Sequence, residues 1–187
     1  MVKLKYKLYS QMPEAEKRKF LSAMKAGERE KGARGNPKPY ALEVPGEKIE
    51  FEPGFEELLI ATANEKGKEF FVGLAKFHNP ITYLPESRKG RFIYQNKLYV
   101  WPEFRKSVSR EGKPISKKIV LEMDRVIAAH GYPGAEAALW PRARGLYRRL
   151  SQEGEHDLGE HTAKYTLHEQ PFGGTPRLRV HYRKKGK

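Results

Sequence analysis

The chain has 187 residues and a formal net charge of +14, from 37 Lys plus Arg against 23 Asp plus Glu. An apolar share of 38% and an aromatic share of 11% exclude an intrinsically disordered protein, and the absence of cysteine excludes disulfides, thiolate metal sites and a cysteine nucleophile. A positive excess of this size bears on partners, with nucleic acid first and an anionic membrane surface second, and is silent on fold.

Val2, Leu4, Tyr6 and Leu8 alternate with Lys3, Lys5 and Lys7, which predicts a half-buried opening strand with a lysine outer face. No signal peptide opens the chain, and no apolar run approaches the ~20 residues that span a bilayer. The expectation is a cytoplasmic (intracellular) or virion-associated protein, with no membrane partner. Pro13 suits the first turn of a helix, with Glu14 and Glu16 near its positive end and Phe20, Leu21 and Met24 as an apolar stripe. The charged, Gly/Pro-containing stretch 25–39 reads as a loop. From 36 to 80 the charge reverses, with five basic and eight acidic residues.

Between 40 and 99 the signals are mostly β. Strands over 40–44 and 48–51 flank the turn dipeptide Pro45-Gly46, and 69–75 reads as a buried strand. The runs 91–94 and 98–101 flank Gln95-Asn96-Lys97, a hairpin turn, while 55–63 reads as a short helix. Among Tyr83, Phe92, Tyr94, Tyr99 and Trp101, core packing accounts for most, leaving Tyr94 or Tyr99 for base stacking.

Past Gly112-Lys113-Pro114 the period turns helical. Ile115, Ile119, Met123, Val126, Ile127 and His130 share one face, with Ser116 as a cap. His130-Gly-Tyr-Pro-Gly breaks that helix, and a second helical pattern covers 137–140. Pro141 opens a third helix to about Gln152, with Leu146, Tyr147 and Leu150 inward. After a polar connector over 154–159 comes a hairpin of alternating character. Thr162, Lys164, Thr166 and His168 form the polar side of its first strand, and Arg177, Arg179, His181 and Arg183 that of its second. A turn centred on Phe172-Gly173 sets His168 opposite Arg177, Thr166 opposite Arg179 and Lys164 opposite His181.

The fold class expected is α+β: a β-rich N-terminal portion over 1–112, then over 113–187 a helical segment ending in a long basic β-hairpin, the two together able to form one continuous domain. The order helix, turn, short helix, arginine helix, hairpin resembles a winged helix-turn-helix DNA-binding domain. The residues behind the resemblance are 127–134 at the turn and 142–154 in the candidate recognition helix, and the likeness covers roughly the last 70 residues. It implies that Arg142, Arg144, Arg148 and Arg149 face the major groove and that Lys164, Arg177 and Arg179 contact phosphates.

The function expected is nucleic-acid binding, DNA ahead of RNA, through these residues and Arg183, with counterion release making affinity salt-sensitive. The partner is then nucleic acid, with a homo-oligomer or larger nucleoprotein assembly as its setting. One alternative is a metal-independent ribonuclease, in which His168 and His181 move protons and Lys164 stabilises the charged phosphorane. Another is a basic structural component of a virion or nucleoprotein assembly. No cofactor and no metal are expected: the cluster Glu155, His156, Asp157, Glu160, His161 matches no ligand spacing, and reads as a solvated loop.

Overall fold

The computed structural model describes residues 3–28, 40–65, 67–82, 92–107, 112–139, 141–168 and 175–186; the side chains of Glu28, Glu65, Asn96 and Arg142 fall outside the description. Tyr83, Arg91, Trp140 and the turn 169–174 also lie outside it.

The elements run in the order β1 (Leu4–Leu8), α1 (Glu14–Ala23), β2 (Gly27–Glu28), β3 (Tyr40–Val44), β4 (Glu47–Phe51), β5 (Glu56–Glu65), β6 (Lys68–His78), β7 (Ile93–Val100), α2 (Ile115–Ala129), β8 (Gly134–Ala138), α3 (Pro141–Gln152), β9 (Glu155–Asp157), β10 (His161–His168) and β11 (Arg177–Lys184). Eight of the strands make one mixed sheet, ordered β1-β5-β6-β7-β8-β11-β10-β9, and β2-β3-β4 make a small second sheet. Every neighbouring pair in the large sheet is antiparallel except β7 and β8, which run parallel. A parallel pair needs a crossover, and α2 supplies it.

The large sheet carries two cores. On one face Leu59, Val72, Phe77 and Ile93 meet Ile119, Val120 and Met123 of α2, and further along Ala163, Tyr165, Leu178 and Val180 meet Tyr147 and Leu150 of α3. On the other face Leu58, Ile60 and Leu74 pack with Phe20 of α1 and with Leu42, Val44, Ile49 and Phe51 of the small sheet. Gly73 lets α2 approach: a Cβ there would stand 2.6 Å from the Ile119 side chain and from the Tyr99 carbonyl. Among the described residues no helix is long and apolar enough to cross a membrane.

This architecture corrects the expected fold class. The C-terminal part is not a helical segment with an appended hairpin. Its β8, β10 and β11 are built into the sheet that the N-terminal strands begin. Three misread segments explain the error. The stretch 55–63 is not a helix: Phe55 lies in a turn and 56–63 belong to β5. Its apolar residues alternate between the two cores, and a strand buried on both faces has no period-2 signature. Gln95-Asn96-Lys97 is not a hairpin turn. Phe77 pairs with Gln95 and Lys76 with Lys97, so Asn96 is the extra residue of a bulge inside one strand. Of the stretch 137–140, read as helical, Ala137 and Ala138 instead end β8 and Leu139 follows it, while Trp140 lies outside the described residues. Alanine favours helix by only a few tenths of a kcal/mol over most residues, and burial between two strands outweighs that. Small residues are needed here: a Cβ on Gly134 would collide with the Phe92 ring and the Val180 carbonyl.

The winged-helix resemblance falls with the same observation. A wing projects, whereas β11 is paired on both edges, by β10 and by β8. The hairpin register itself is as expected, with His168 opposite Arg177, Thr166 opposite Arg179 and Lys164 opposite His181.

Candidate functional site

The parallel pair is short. Ile93 pairs with Ala135 and Tyr94 with Glu136, and there the pairing ends. Beyond this fork β7 continues to Val100 along β6, and β8 continues to Ala138 along β11. The bulge at Asn96 bends β7 where the two strands part. Between them opens a cavity of about 630 Å³. In an open sheet the carboxyl ends of parallel strands are where a ligand-binding crevice forms.

Leu98, Val100, Met123, Ala137, Leu139 and Leu146 give the cleft apolar walls. Its rim is cationic, with Lys97, Arg105 and Arg149. Lys97 is held 2.6 Å from Glu47 of the small sheet. Arg105 donates from Nε to the Val100 carbonyl at 3.1 Å and lies over the Tyr99 ring, 5.7 Å from its centre. Both α2 and α3 begin at the cleft, which Ser116 and Pro141 of their first turns line. Neither has an acidic residue in its first turn; in α2 the Ile115 N–H donates to the Ser107 carbonyl at 3.4 Å, and no side chain caps the amides that follow, which keep their partial positive charge.

The closed end of the cleft is polar and buried. Asp124 of α2 is fully buried and accepts three hydrogen bonds: from Gln95 Nε2 at 2.5 Å, from the Tyr182 hydroxyl at 2.5 Å and from the Tyr165 hydroxyl. Burial pushes its carboxyl up to about 6, against the opposing pull of those donors. Gln95 and Tyr147 line the cleft beside this knot. Among the described residues the buried Gln95 Oε1 has no hydrogen-bond partner, and none hydrogen-bonds the Tyr147 hydroxyl. Burial first, and then the Asp124 charge, hold the Tyr147 phenol protonated far above its usual range.

The residues singled out in the sequence are dispersed. On α3, Arg144 and Arg148 are exposed, and exposed Arg149 borders the cleft. Arg142 sits in the first turn of α3. Lys164, Arg177, His168, His181 and Arg183 are exposed on the hairpin's polar side. Arg179 is half-buried and committed, with Nη2 2.6 Å from Glu136 Oε1 and its guanidinium 5.0 Å from the Phe92 ring centre. His181 meets the edge of that ring at 5.1 Å.

Nucleic-acid binding, whether DNA or RNA, required the α3 arginines and the hairpin cations to form one surface. They do not. Helix α3 packs on the apolar side of β10 and β11 through Tyr147 and Leu150, so its Arg144, Arg148 and Arg149 and the hairpin's cations lie on opposite sides of the sheet. The virion or nucleoprotein-component reading rested on the same convergence and is withdrawn with it. The ribonuclease reading fails on distance. His168 faces Arg177 and His181 faces Lys164, four rungs apart on the ladder. At ~3.3 Å per residue that is roughly 13 Å, too far for two imidazoles to flank one phosphate. No group of three or more potential metal ligands occurs among the described residues. Of the stacking candidates, Tyr99 and Trp101 are core, Phe92 covers Gly134, and Tyr94 is 39% exposed.

No family model and no curated relative matches the chain. It is similar to one solved structure, yncA of Salmonella typhimurium, assigned as an acetyltransferase and solved with acetyl-CoA, at 14% identity and a TM-score of 0.36, over 70% of this chain and 66% of that one. The match therefore spans just under two thirds of that structure's length. A likeness this distant carries no argument, and the site is read below from its own geometry.

Sequence reasoning missed the cleft because its walls come from a non-local parallel pair. Gln95 was absorbed into a supposed turn, and Tyr147 into an inward helix face. Only Arg149 was singled out, for a different ligand.

Proposed function

We propose that the protein is an acyl-group transferase whose donor is an acyl thioester of a pantetheine-type carrier such as coenzyme A. The observation that carries this reading is the fork between β7 and β8. Two strands that part leave facing edges of unpaired N–H and C=O groups. Such edges take an extended ligand bearing amides of its own, as an added strand would. The apolar walls suit a flexible methylene arm, and the volume lies within the range of small-molecule sites. Arg105 and the uncapped start of α2 suit phosphates at the outer end.

An arm entering from that end runs along β7 from Val100 toward Gln95, about 17 Å at ~3.3 Å per residue. Its reactive end then lies against Met123, Gln95 and Tyr147. In the reaction the lone pair of an acceptor amine attacks the thioester carbonyl carbon. A C–N bond forms and the C–S bond breaks. The phenol of Tyr147, held protonated by burial, hydrogen-bonds the departing sulfur and relays to it the proton that the nitrogen loses. The products are an amide and a free thiol, so atoms and charge balance.

The chain's lack of cysteine makes a thiol-release assay free of protein background. Incubation with acetyl-CoA and a mixture of amines is expected to release thiol. Tyr147→Phe is expected to slow release about 10²-fold or more while leaving coenzyme A affinity within about twofold. Thiol release unchanged in Tyr147→Phe would remove that residue's role, and no release with any amine would remove the reading.

A further inference from the structure

A second cavity, of about 480 Å³, opens where β6 outruns β7. Those strands last pair at Gly73 and Val100. The Trp101 N–H then donates to the Val72 carbonyl at 2.9 Å, and the chain leaves the sheet in a 3₁₀ turn over Pro102–Phe104. The overhanging end of β6 and this turn make the walls. Phe70, Phe71, Trp101 and Phe104 line the cavity together with two carboxylates, Glu69 and Glu103. It shares no lining residue with the thioester cleft. Phe71 and Trp101 stack with ring centres 6.3 Å apart, and buried Phe20 and Tyr99 meet them edge-on, so both rings are held in place. Phe70 is 43% exposed, an apolar ring left to solvent at the cavity mouth. Glu69 is exposed, yet its Oε1 accepts a hydrogen bond at 3.0 Å from the hydroxyl of buried Thr62, which anchors the carboxylate beside the rings. Lys7, whose charge interacts with that of Glu69, is engaged by Glu16 at 2.9 Å. Glu103 is exposed and has no ion-pair partner among the described residues.

We infer that this cavity binds a small organic cation with a quaternary ammonium head. Aromatic rings attract a cation that comes within about 6 Å of their centres, and four of the six lining residues are aromatic. The two carboxylates set the sign of the ligand. In a chain of net charge +14 they make a local negative spot, which an anionic ligand would meet with repulsion and a neutral one would leave unused. The rings set the kind of cation. A primary ammonium brings three N–H donors, which aromatic walls leave short of acceptors. A quaternary head has no N–H to satisfy, sets methyl groups against the rings and keeps its charge within reach of Glu69 and Glu103. The inference stands apart from the transferase reading, since it uses neither that cleft nor its residues.

The test follows the tryptophan fluorescence of the purified full chain, in which Trp101 lines the cavity, at constant ionic strength. The probes are choline, its uncharged isostere 3,3-dimethylbutan-1-ol, and ethanolamine, which has the charge without the methyl groups. Choline is expected to bind about tenfold more tightly than the isostere, and more tightly than ethanolamine. Glu69→Gln combined with Glu103→Gln is expected to bring choline down to the affinity of the isostere. Phe70→Ala is expected to weaken choline about threefold. All three side chains are exposed, and glutamine at 69 keeps the oxygen that Thr62 donates to, so these variants retain the fold. The wild-type comparison needs no variant. Absence of choline binding, or equal binding of choline and the isostere, overturns the inference. Ethanolamine binding as tightly as choline overturns it too, by removing the role of the rings. Choline affinity untouched by the double glutamine variant and by Phe70→Ala places the ligand elsewhere and overturns it equally. None of these outcomes bears on thiol release from acetyl-CoA.

Discussion

Strands β5, β6 and β7 are covered on both faces, by α2 on one and by α1 with the small sheet on the other. Strands β8, β11 and β10 bury their apolar face against α2 and α3, while on the other face Lys164, Arg177, His181 and Arg183 are exposed and Phe92 packs beside Gly134, Arg179 and His181. The difference explains the two kinds of sequence. In the doubly covered half, apolar residues run on without alternation. In the singly covered half, charge and apolar side chains alternate residue by residue. The most conspicuous pattern in the chain, the basic hairpin, is the solvated face of a half-covered sheet. The cleft lies at the seam between the halves, where the parallel pairing of β7 and β8 gives out, and it leaves no local mark in the sequence.

The contrast can be broken by substitution. Phe77 is wholly buried in the doubly covered half, and Phe77→Ala is expected to cost about 3–5 kcal/mol by urea unfolding. A loss below about 1 kcal/mol would mean that this half is not the packed one.

Next in size comes the knot at the seam. Burial raises the Asp124 carboxyl to about 6 from 3.8, so between those two values the folded chain holds this proton more tightly than the unfolded chain does. The contribution of Asp124 to stability therefore falls as pH rises from about 4 to about 6, and is flat above that. The fall is on the order of 3 kcal/mol at 1.36 kcal/mol per pKa unit. Wild type and Asp124→Asn should accordingly diverge in urea midpoint as pH rises through this window, the wild type losing stability relative to the variant. Parallel curves would mean that the carboxyl is not buried.

Smallest is the water-facing half. Arg177→Ala with Arg183→Ala is expected to change stability by less than about 0.5 kcal/mol per site and to leave coenzyme A affinity unchanged. A larger effect on either quantity would mean that this face packs against something.

Much of the secondary structure was legible in the sequence. The lysine-alternating β1, the start of α1 after Pro13, the apolar stripe of α2, the opening of α3 at Pro141 and the hairpin register all follow from local chemistry. What was not legible is how these elements pair. Helix α3 and the hairpin look like neighbours in a compact DNA-binding unit, yet the helix packs on the hairpin's apolar side, with Arg144, Arg148 and Arg149 across the sheet from the hairpin's cations. Nothing within β7 or β8 says that they run side by side for two residues and then part. Gln95 and Tyr147 are uncharged and sit in no motif. Only their place on the cleft wall beside the buried Asp124 marks them.

The central claim is that the opening between β7 and β8 is where a thioester carrier binds. Ala143 of α3 borders that opening and is half-buried, so Ala143→Trp fills the cleft with little disturbance to either core. The decisive measurement is a calorimetric titration of coenzyme A into wild type and Ala143→Trp, with unfolding curves confirming that both are folded. The account predicts one molecule bound per chain in the wild type and affinity reduced at least tenfold in the variant. No binding to the wild type, or equal binding to both, would contradict it.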